Sequence, residues 1–260
     1  MKYINKISDN PSISAIKQNK LVMFLIKLAV LIVVISLFFF GLKKLILHYL
    51  NLKNDSPYLI KGNKNAKNSL VIDQDPNNEN SITLYRSDNQ DTGIQFTYSF
   101  WLVIENMQYN YGKLKHIFHK GNKTGFPNKA PGVFIHPEKN ALRIYMNTYK
   151  DINEFVDIEN IPLKKWVHVS IVLDHSYLDI YINGRIRKRH QLSSLPKQNF
   201  GNVWVNIYGG FDGFISNLRY YRRALEYYEI EKIVKKGPSN SACSSGEMPP
   251  YLNDNWWFDI

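Results

Sequence analysis

Residues 21–42 read LVMFLIKLAVLIVVISLFFFGL, 22 residues with one charge, Lys27. About 20 apolar residues cross a bilayer core as a helix, so a run this long and uniform belongs in lipid. Nothing in its pattern offers the polar face that a soluble surface helix needs. Lys17 and Lys20 stand before it and Lys43 and Lys44 after it. Lys27 lies close enough to one end to snorkel toward the interface. A cleaved signal peptide fits poorly, because the run is too long, Phe38 to Phe40 are bulky, and no A-x-A-like site follows. The expectation is an uncleaved single-pass transmembrane anchor over 21–43. It is preceded by a basic tail (1–20) and followed by a juxtamembrane linker (44–56). The lipid bilayer is thus the first expected partner.

Charge supports that division. The formal net charge is +11, which invites a nucleic-acid reading. Residues 1–70, however, hold eleven lysines against Asp9 and Asp55. The other 190 residues carry 22 basic and 20 acidic side chains, so the globular part is close to neutral. The excess flanks the apolar run, where lysine meets anionic headgroups, and no nucleic-acid partner is expected. Lysine is balanced across the run and does not set orientation. The default is a short inside tail with the domain external or lumenal. The sequons at Asn54 and Asn122 would be usable there. The single cysteine, Cys243, excludes an intrachain disulfide.

From Ser81 the chain becomes a series of short runs rich in β-branched and aromatic residues, bounded by Gly, Pro, Asn and Asp. These are 82–86, 95–104, 115–120, 132–136, 141–147, 166–173, 178–182, 185–191, 203–208 and 214–221. In WVHVSIVL (166–173), Val167, Val169, Ile171 and Leu173 form one uniformly apolar face. Small islands at 58–60 and 70–72 read as edge strands, and GNKNAKN between them as a turn. Many antiparallel strands followed by one helix indicate a β-sandwich or jelly roll over 57–237. The helix is expected near 225–236, where Tyr227, Ile230, Ile233 and Val234 share a stripe and Gly237-Pro238 ends it. The tail, 238–260, ends in an aromatic Trp256-Trp257-Phe258 that could dock on the sandwich or on a partner.

LDIYINGRIRKRH (178–190) reads as a hairpin turning at Asn183-Gly184. A two-residue turn would put arginines on the isoleucine face. A three-residue loop with a G1 bulge instead pairs Tyr181 with Arg185, Asp179 with Arg187 and Ile180 with Ile186, and is preferred. The arginines then line a solvated face whose charge discourages edge pairing. The sharper reading makes Arg185 and Arg187 an anion or acidic-glycan contact.

FTYSFWLVI (96–104), KKWVHVSIVLDHSYLDIYINGR (164–185) and GFDGFISNLRYYRRALEYYEI (210–230) together resemble the concanavalin A-like lectin/glucanase superfamily, in its laminin G-like and pentraxin-like branches. Trp166, His168, Tyr181, Asn183, Gly184, Gly213, Ile215, Leu218, Arg219, Tyr221, Arg223, Ala224 and Leu225 carry the resemblance, which covers roughly 81–235. With the anchor, the arrangement is also similar to membrane-anchored members found in giant DNA viruses of protists, which would place it in a viral or internal host membrane. The resemblance implies an all-β, two-sheet antiparallel jelly-roll sandwich with a short C-terminal helix, behind one transmembrane helix.

The superfamily hosts lectins, glycosidases and protein-binding modules, so chemistry has to come from residues. The carboxylate cluster Glu154, Asp157, Glu159 lacks the one-strand spacing of the related glucanases, and its segment reads as loop, so no enzyme is expected. His116 and His119 would fall on opposite faces of a strand, which argues against a zinc pair. The resemblance implies a possible Ca2+ site, with Asp174 and Asp212 as loop ligands. Trp101 and Trp166 read as packing, whereas Trp204 and Tyr208, with Tyr111 and Tyr149, could line a sugar rim. The expected function is a membrane-anchored binding module for a glycan or glycosylated partner. The alternative is a structural coat or envelope protein whose sandwich and tail dock on another protein.

Overall fold

The computed structural model describes residues 20–87 and 94–239. The Trp256-Trp257-Phe258 end and Cys243 lie outside them. The chain divides into two compact units, Met1–Lys53 and Asn54–Ile260. The first is dominated by helix α1, Lys20–Asp55. Within it Val22–Leu47 has a mean hydropathy of 2.9 over 26 residues, with none of its apolar window buried in the protein. Among the described residues this is the one helix long and apolar enough to cross a membrane. It runs on through the stretch expected as a linker, because LILHYLNL contains neither Gly nor Pro to stop it.

The second unit is a sandwich of two six-stranded antiparallel sheets. Among the described residues twelve strands build it: β1 (Asn63–Asn65), β2 (Leu70–Ile72), β3 (Gln95–Asn106), β4 (Lys115–Gly121), β5 (Lys129–Ile135) and β6 (Ala141–Tyr145), then β7 (Phe155–Glu159), β8 (Val167–Asp174), β9 (Tyr177–Ile182), β10 (Arg185–Gln191), β11 (Val203–Val205) and β12 (Asp212–Tyr221). One sheet has the order β1-β12-β3-β8-β9-β10, the other β2-β11-β4-β5-β6-β7. Alternate residues of facing strands fill the space between them: Val167, Val169, Ile171 and Leu173 of β8 meet Phe100, Ile117 and Phe118 in one buried cluster. Helix α2, Tyr227–Lys236, lies on the outer face of the first sheet, where Ile230 and Ile233 pack with Val172 and Leu225.

Four local expectations change. Residues 82–86 form no strand, because the Gln74 side chain takes the partner's role. Its Oε1 accepts from the Leu84 N–H (3.0 Å) and its Nε2 donates to the Ile82 carbonyl (2.8 Å). Asn63–Asn65, read as turn, pairs with Phe214–Ser216 as strand β1, whereas Tyr58 makes only one bridge, to Arg219. Phe155–Glu159, read as loop, is the edge strand β7, with Val156 and Ile158 turned into the core.

The fourth change is the hairpin. Asn183 and Gly184 have φ of 50° and 81°, the two left-handed residues of a type I′ turn, and Arg185 faces Ile182. The three-residue loop is therefore not formed. The conflict between charge and core is resolved by a bulge at Arg187, after which Lys188 faces Ile180 and Arg189 faces Asp179. Arg189, not Arg187, makes the two-pronged pair with Asp179, at 2.7 and 2.6 Å. The β10 basic side chains are exposed, as expected of a solvated edge. Replacing Gly184 by alanine puts a Cβ at a φ of +81°, with Val234 Cγ2 3.4 Å away. The expected cost is about 1 kcal/mol, read as a lowered urea midpoint with unchanged slope.

Candidate functional site

The sequence-predicted residues do not converge. Arg185 and Arg187 sit on the β10 edge, beside Glu159 and Pro162 of the opposite sheet's edge. Trp204 and Tyr208 belong to the β11 region, and β4, β5 and β6 separate β11 from β7. At strand spacing that is about 19 Å. Trp204 is structural, since its indole N–H donates to the Gly121 carbonyl at 3.1 Å. Tyr208 is 67% exposed and its hydroxyl reaches the Lys123 carbonyl at 3.4 Å. Asp174 pairs opposite Gln95 and Asp212 opposite Asn106, the two ends of β3. Eleven strand steps put them roughly 35 Å apart, so they cannot share one ion. Each already has partners: Gln95 and His175 at Asp174, Lys67 at Asp212.

The H-x-x-H pair shows how a bulge overrides parity. A register shift between His116 and Phe118 brings both imidazoles to one face, with His116 Nε2 2.7 Å from His119 Nδ1. His119 Nε2 donates to the Asn122 carbonyl (2.7 Å), and His116 Nδ1 accepts from the Ile207 N–H (3.2 Å). All four ring nitrogens are used with both rings neutral, and burial pushes both pKa values down. The pair fastens the 116–122 strand end to residue 207. Of the carboxylates, Glu154 is buried under donors, Asp157 is held by Arg143 at 2.8 and 2.7 Å, and Glu159 is exposed.

A better-built site lies on the outer face of the first sheet, beside α2. Strand parity puts Ser99 and Trp101 of β3, His168 and Ser170 of β8, and Arg219 and Tyr221 of β12 on this face. A groove of about 210 Å³ runs over Ser99, Trp101, Arg219 and Tyr221. Tyr58 and Asn217 form one wall, and Lys232, Ile233 and Lys236 of α2 the other. The Arg219 guanidinium is stacked between two rings, 4.5 Å from the Tyr58 centroid and 4.9 Å from Tyr221. Its Nε and Nη2 donate to the Ser56 carbonyl and hydroxyl at 2.8 and 2.9 Å.

Beneath the groove His168 is fully buried, its ring edge-on to Trp101 and its Nε2 2.8 Å from Ser99 Oγ. Burial lowers its pKa to about 4, so it is neutral at physiological pH. Among the described residues His168 Nδ1 has no hydrogen-bond partner. A stranded lone pair costs less than a stranded N–H, which places the proton on Nε2 as donor to Ser99. The Ser99 hydroxyl hydrogen is then left for an acceptor in the groove. The site thus offers aromatic walls, an oriented hydroxyl and fixed cations, the mixture found in small polar-ligand sites.

A two-layer jelly roll of lectin type, with a recess on one outer face, is the class these features define. The chain belongs to the concanavalin A-like lectin/glucanases superfamily, whose laminin G-type family model matches residues 76–231. Its motif residues now have roles. Gly213 has a φ of +152°, and a Cβ there would lie 1.9 Å from the Val103 carbonyl oxygen. Arg223 holds Glu229 in the first turn of α2 through both of its terminal nitrogens. Among solved structures the chain is similar to the receptor binding domain of botulinum neurotoxin D (13% identity, TM-score 0.52, 70% of this chain and 48% of that one). It is equally similar to the receptor binding domain of the mosaic serotype C/D neurotoxin, solved with tetraethylene glycol on its Hcn sub-domain (13%, 0.52, 70% and 46%). The chain spans less than half the length of these structures, and at such identity the likeness carries the fold alone. No curated protein matches the chain.

Proposed function

We propose that the protein is a single-pass membrane-anchored binding module whose sandwich recognises a glycan or a glycosylated partner in the groove beside α2. The observation that carries this reading is the groove itself, where the half-buried Tyr58 and Tyr221 flank the Arg219 guanidinium above a floor of buried Trp101 and Ser99. Sugar rings stack on aromatic faces while their hydroxyls exchange hydrogen bonds with such groups. Binding rather than catalysis is supported by the carboxylates, since Glu154 and Asp157 are both committed to neighbouring donors. Anchoring is supported by the apolar Val22–Leu47 stretch with lysines on both flanks. In this reading the sandwich faces the external or lumenal side, and display on a membrane multiplies a shallow site's affinity.

The test is a glycan-array screen of the full chain in lipid nanodiscs, with calcium and again with EDTA. Specific, saturable binding is expected, weakened roughly tenfold by Tyr58→Ala, since an aromatic wall is the type of group whose truncation dominates binding energy. Loss of binding in EDTA would return attention to Asp174 and Asp212. No binding by folded protein overturns the glycan reading and favours the alternative of a sandwich docked on a coat or envelope protein.

A further inference from the structure

We infer that the ligand of this groove carries a negative charge: an acidic sugar bearing a carboxylate or a sulfate. The inference rests on the glycan reading above and narrows it. Among the described residues three cations face the groove, Arg219, Lys232 and Lys236, and no Asp or Glu lines it. Among the described residues, none of the three is in an ion pair.

Elsewhere the domain treats its half-buried arginines differently. Arg143 has Asp157 and Arg222 has Asp55 as carboxylate partners. Arg219, also half-buried, is held only by neutral groups, the Ser56 oxygens and two tyrosine rings. A guanidinium drawn partly out of water is stabilised most by an anion with matching geometry. Two of its five N–H groups are engaged at Ser56, Nη1 has a 3.5 Å contact with the Tyr58 hydroxyl, and the Tyr221 hydroxyl is a further partner, which still leaves at least one N–H. A donor therefore remains for a ligand.

The two lysines point the same way. Lys232 and Lys236 are four apart on α2, a like-charge spacing that destabilises a helix unless an anion lies between them. Lys235 on the same helix has its own acid, Glu231, at 3.0 Å, and Glu229 is taken by Arg223. The favourable C-terminal end of the helix dipole accounts for Lys236; Lys232, more than one turn from that end, lies over the Tyr228 ring at 5.0 Å and in the field of Glu229 but has no ion pair of its own among the described residues. A carboxylate or sulfate in the groove would answer all three charges, while its sugar ring rests on the half-buried Tyr58 and Tyr221.

The experiment compares lactose, sialyllactose and a sulfated heparin-derived tetrasaccharide on the full chain in neutral-lipid nanodiscs, by calorimetry at two salt concentrations. At least one acidic probe is expected to bind about tenfold or more tightly than lactose, with affinity falling as salt rises. Which one binds distinguishes a carboxylate from a sulfate ligand. Lys232→Gln with Lys236→Gln, both exposed, should reduce the preference severalfold while moving the melting temperature by no more than a few degrees, whereas Arg185→Gln with Arg187→Gln should leave it intact. Equal binding of lactose and the acidic probes, weakened alike by Tyr58→Ala, overturns the anionic inference and leaves the glycan reading standing. An acidic preference lost in the Arg185/Arg187 variant but kept in the Lys232/Lys236 variant also overturns it, moving the site to the β10 edge. Failure of all three probes, together with an empty glycan array, overturns both.

Discussion

Replacing Phe118 by alanine should lower the stability of the sandwich by about 4 kcal/mol. Phe118 is fully buried on β4, with its ring centroid 5.5 Å from Tyr98 and 5.3 Å from Phe100. Those partners stand on β3 of the facing sheet, so the ring packs across the sandwich rather than within one layer. Truncation removes the transfer energy of a whole aromatic side chain and leaves a cavity that two rigid sheets cannot close. Denaturant unfolding of the full chain in detergent, followed by tryptophan fluorescence, reads the loss as a lower midpoint. A change below about 1 kcal/mol would mean that the two sheets do not pack through this ring.

Glu154→Ala should cost about 3 kcal/mol at neutral pH. The carboxylate accepts from the Ser193 N–H (2.8 Å) and hydroxyl (2.7 Å), from the Thr148 hydroxyl (3.0 Å), and lies 3.1 Å from His190 Nε2. It precedes β7 at the edge of one sheet, and His190 lies on β10 at the edge of the other, so the cluster ties the two edges together. Removing it strands several donors around a hole. Burial pushes the Glu154 carboxyl up, but the hydrogen bonds from Ser193, His190 and Thr148 outweigh this and hold its pKa below the ordinary value of 4.5. A depressed folded pKa stabilises above the unfolded value, and the contribution disappears as pH falls from about 4.5 through the folded value. The gap in unfolding free energy between wild type and variant should therefore narrow as pH falls from 7 through 5 to 3.5. A gap that persists unchanged at pH 3.5 would place the stabilisation in packing rather than in the charge.

Much of the sandwich is legible because β parity survives local noise. The apolar face of 166–173, the hairpin at Asn183-Gly184 and the helix of 225–236 follow from local preferences and are present, although only Ile230 and Ile233 of the expected stripe pack on the sheet and Tyr227 is exposed. Two of the misreadings share one cause. A bulge shifts parity by one residue, which reversed the relation of His116 to His119 and replaced Arg187 by Arg189 opposite Asp179. Nothing in a run of alternating residues announces where the extra residue is taken up. The loss of strand at 82–86 has a different origin: the Gln74 side chain supplies hydrogen bonds that a sequence period cannot foresee.

The candidate site was harder to see for a physical reason. Trp101 and Arg219 lie on strands whose other faces fill the core, so as single residues they read as packing or as solvated charge. Their signal as a site is mutual. Arg219 stands opposite Ser99 in the β12–β3 register, Trp101 opposite His168 in the β3–β8 register, and α2 brings its lysines alongside. Trp204 and Tyr208, aromatic residues in a looser context, lie several strands away from Arg185 and Arg187, so these four residues form no common surface.

Composition and periodicity alone thus determine an apolar segment fit to span a bilayer, a near-neutral β-rich domain behind it and the class of sandwich. These depend on hydrophobicity and local backbone preference, which act on neighbours in the chain. Tertiary structure alone decides which face of the first sheet α2 leaves open, which charges lack partners and which serine a buried histidine orients. Those follow from strand register and from contacts between residues more than a hundred positions apart, such as Arg219 with Ser56, and only the closed sandwich brings them together.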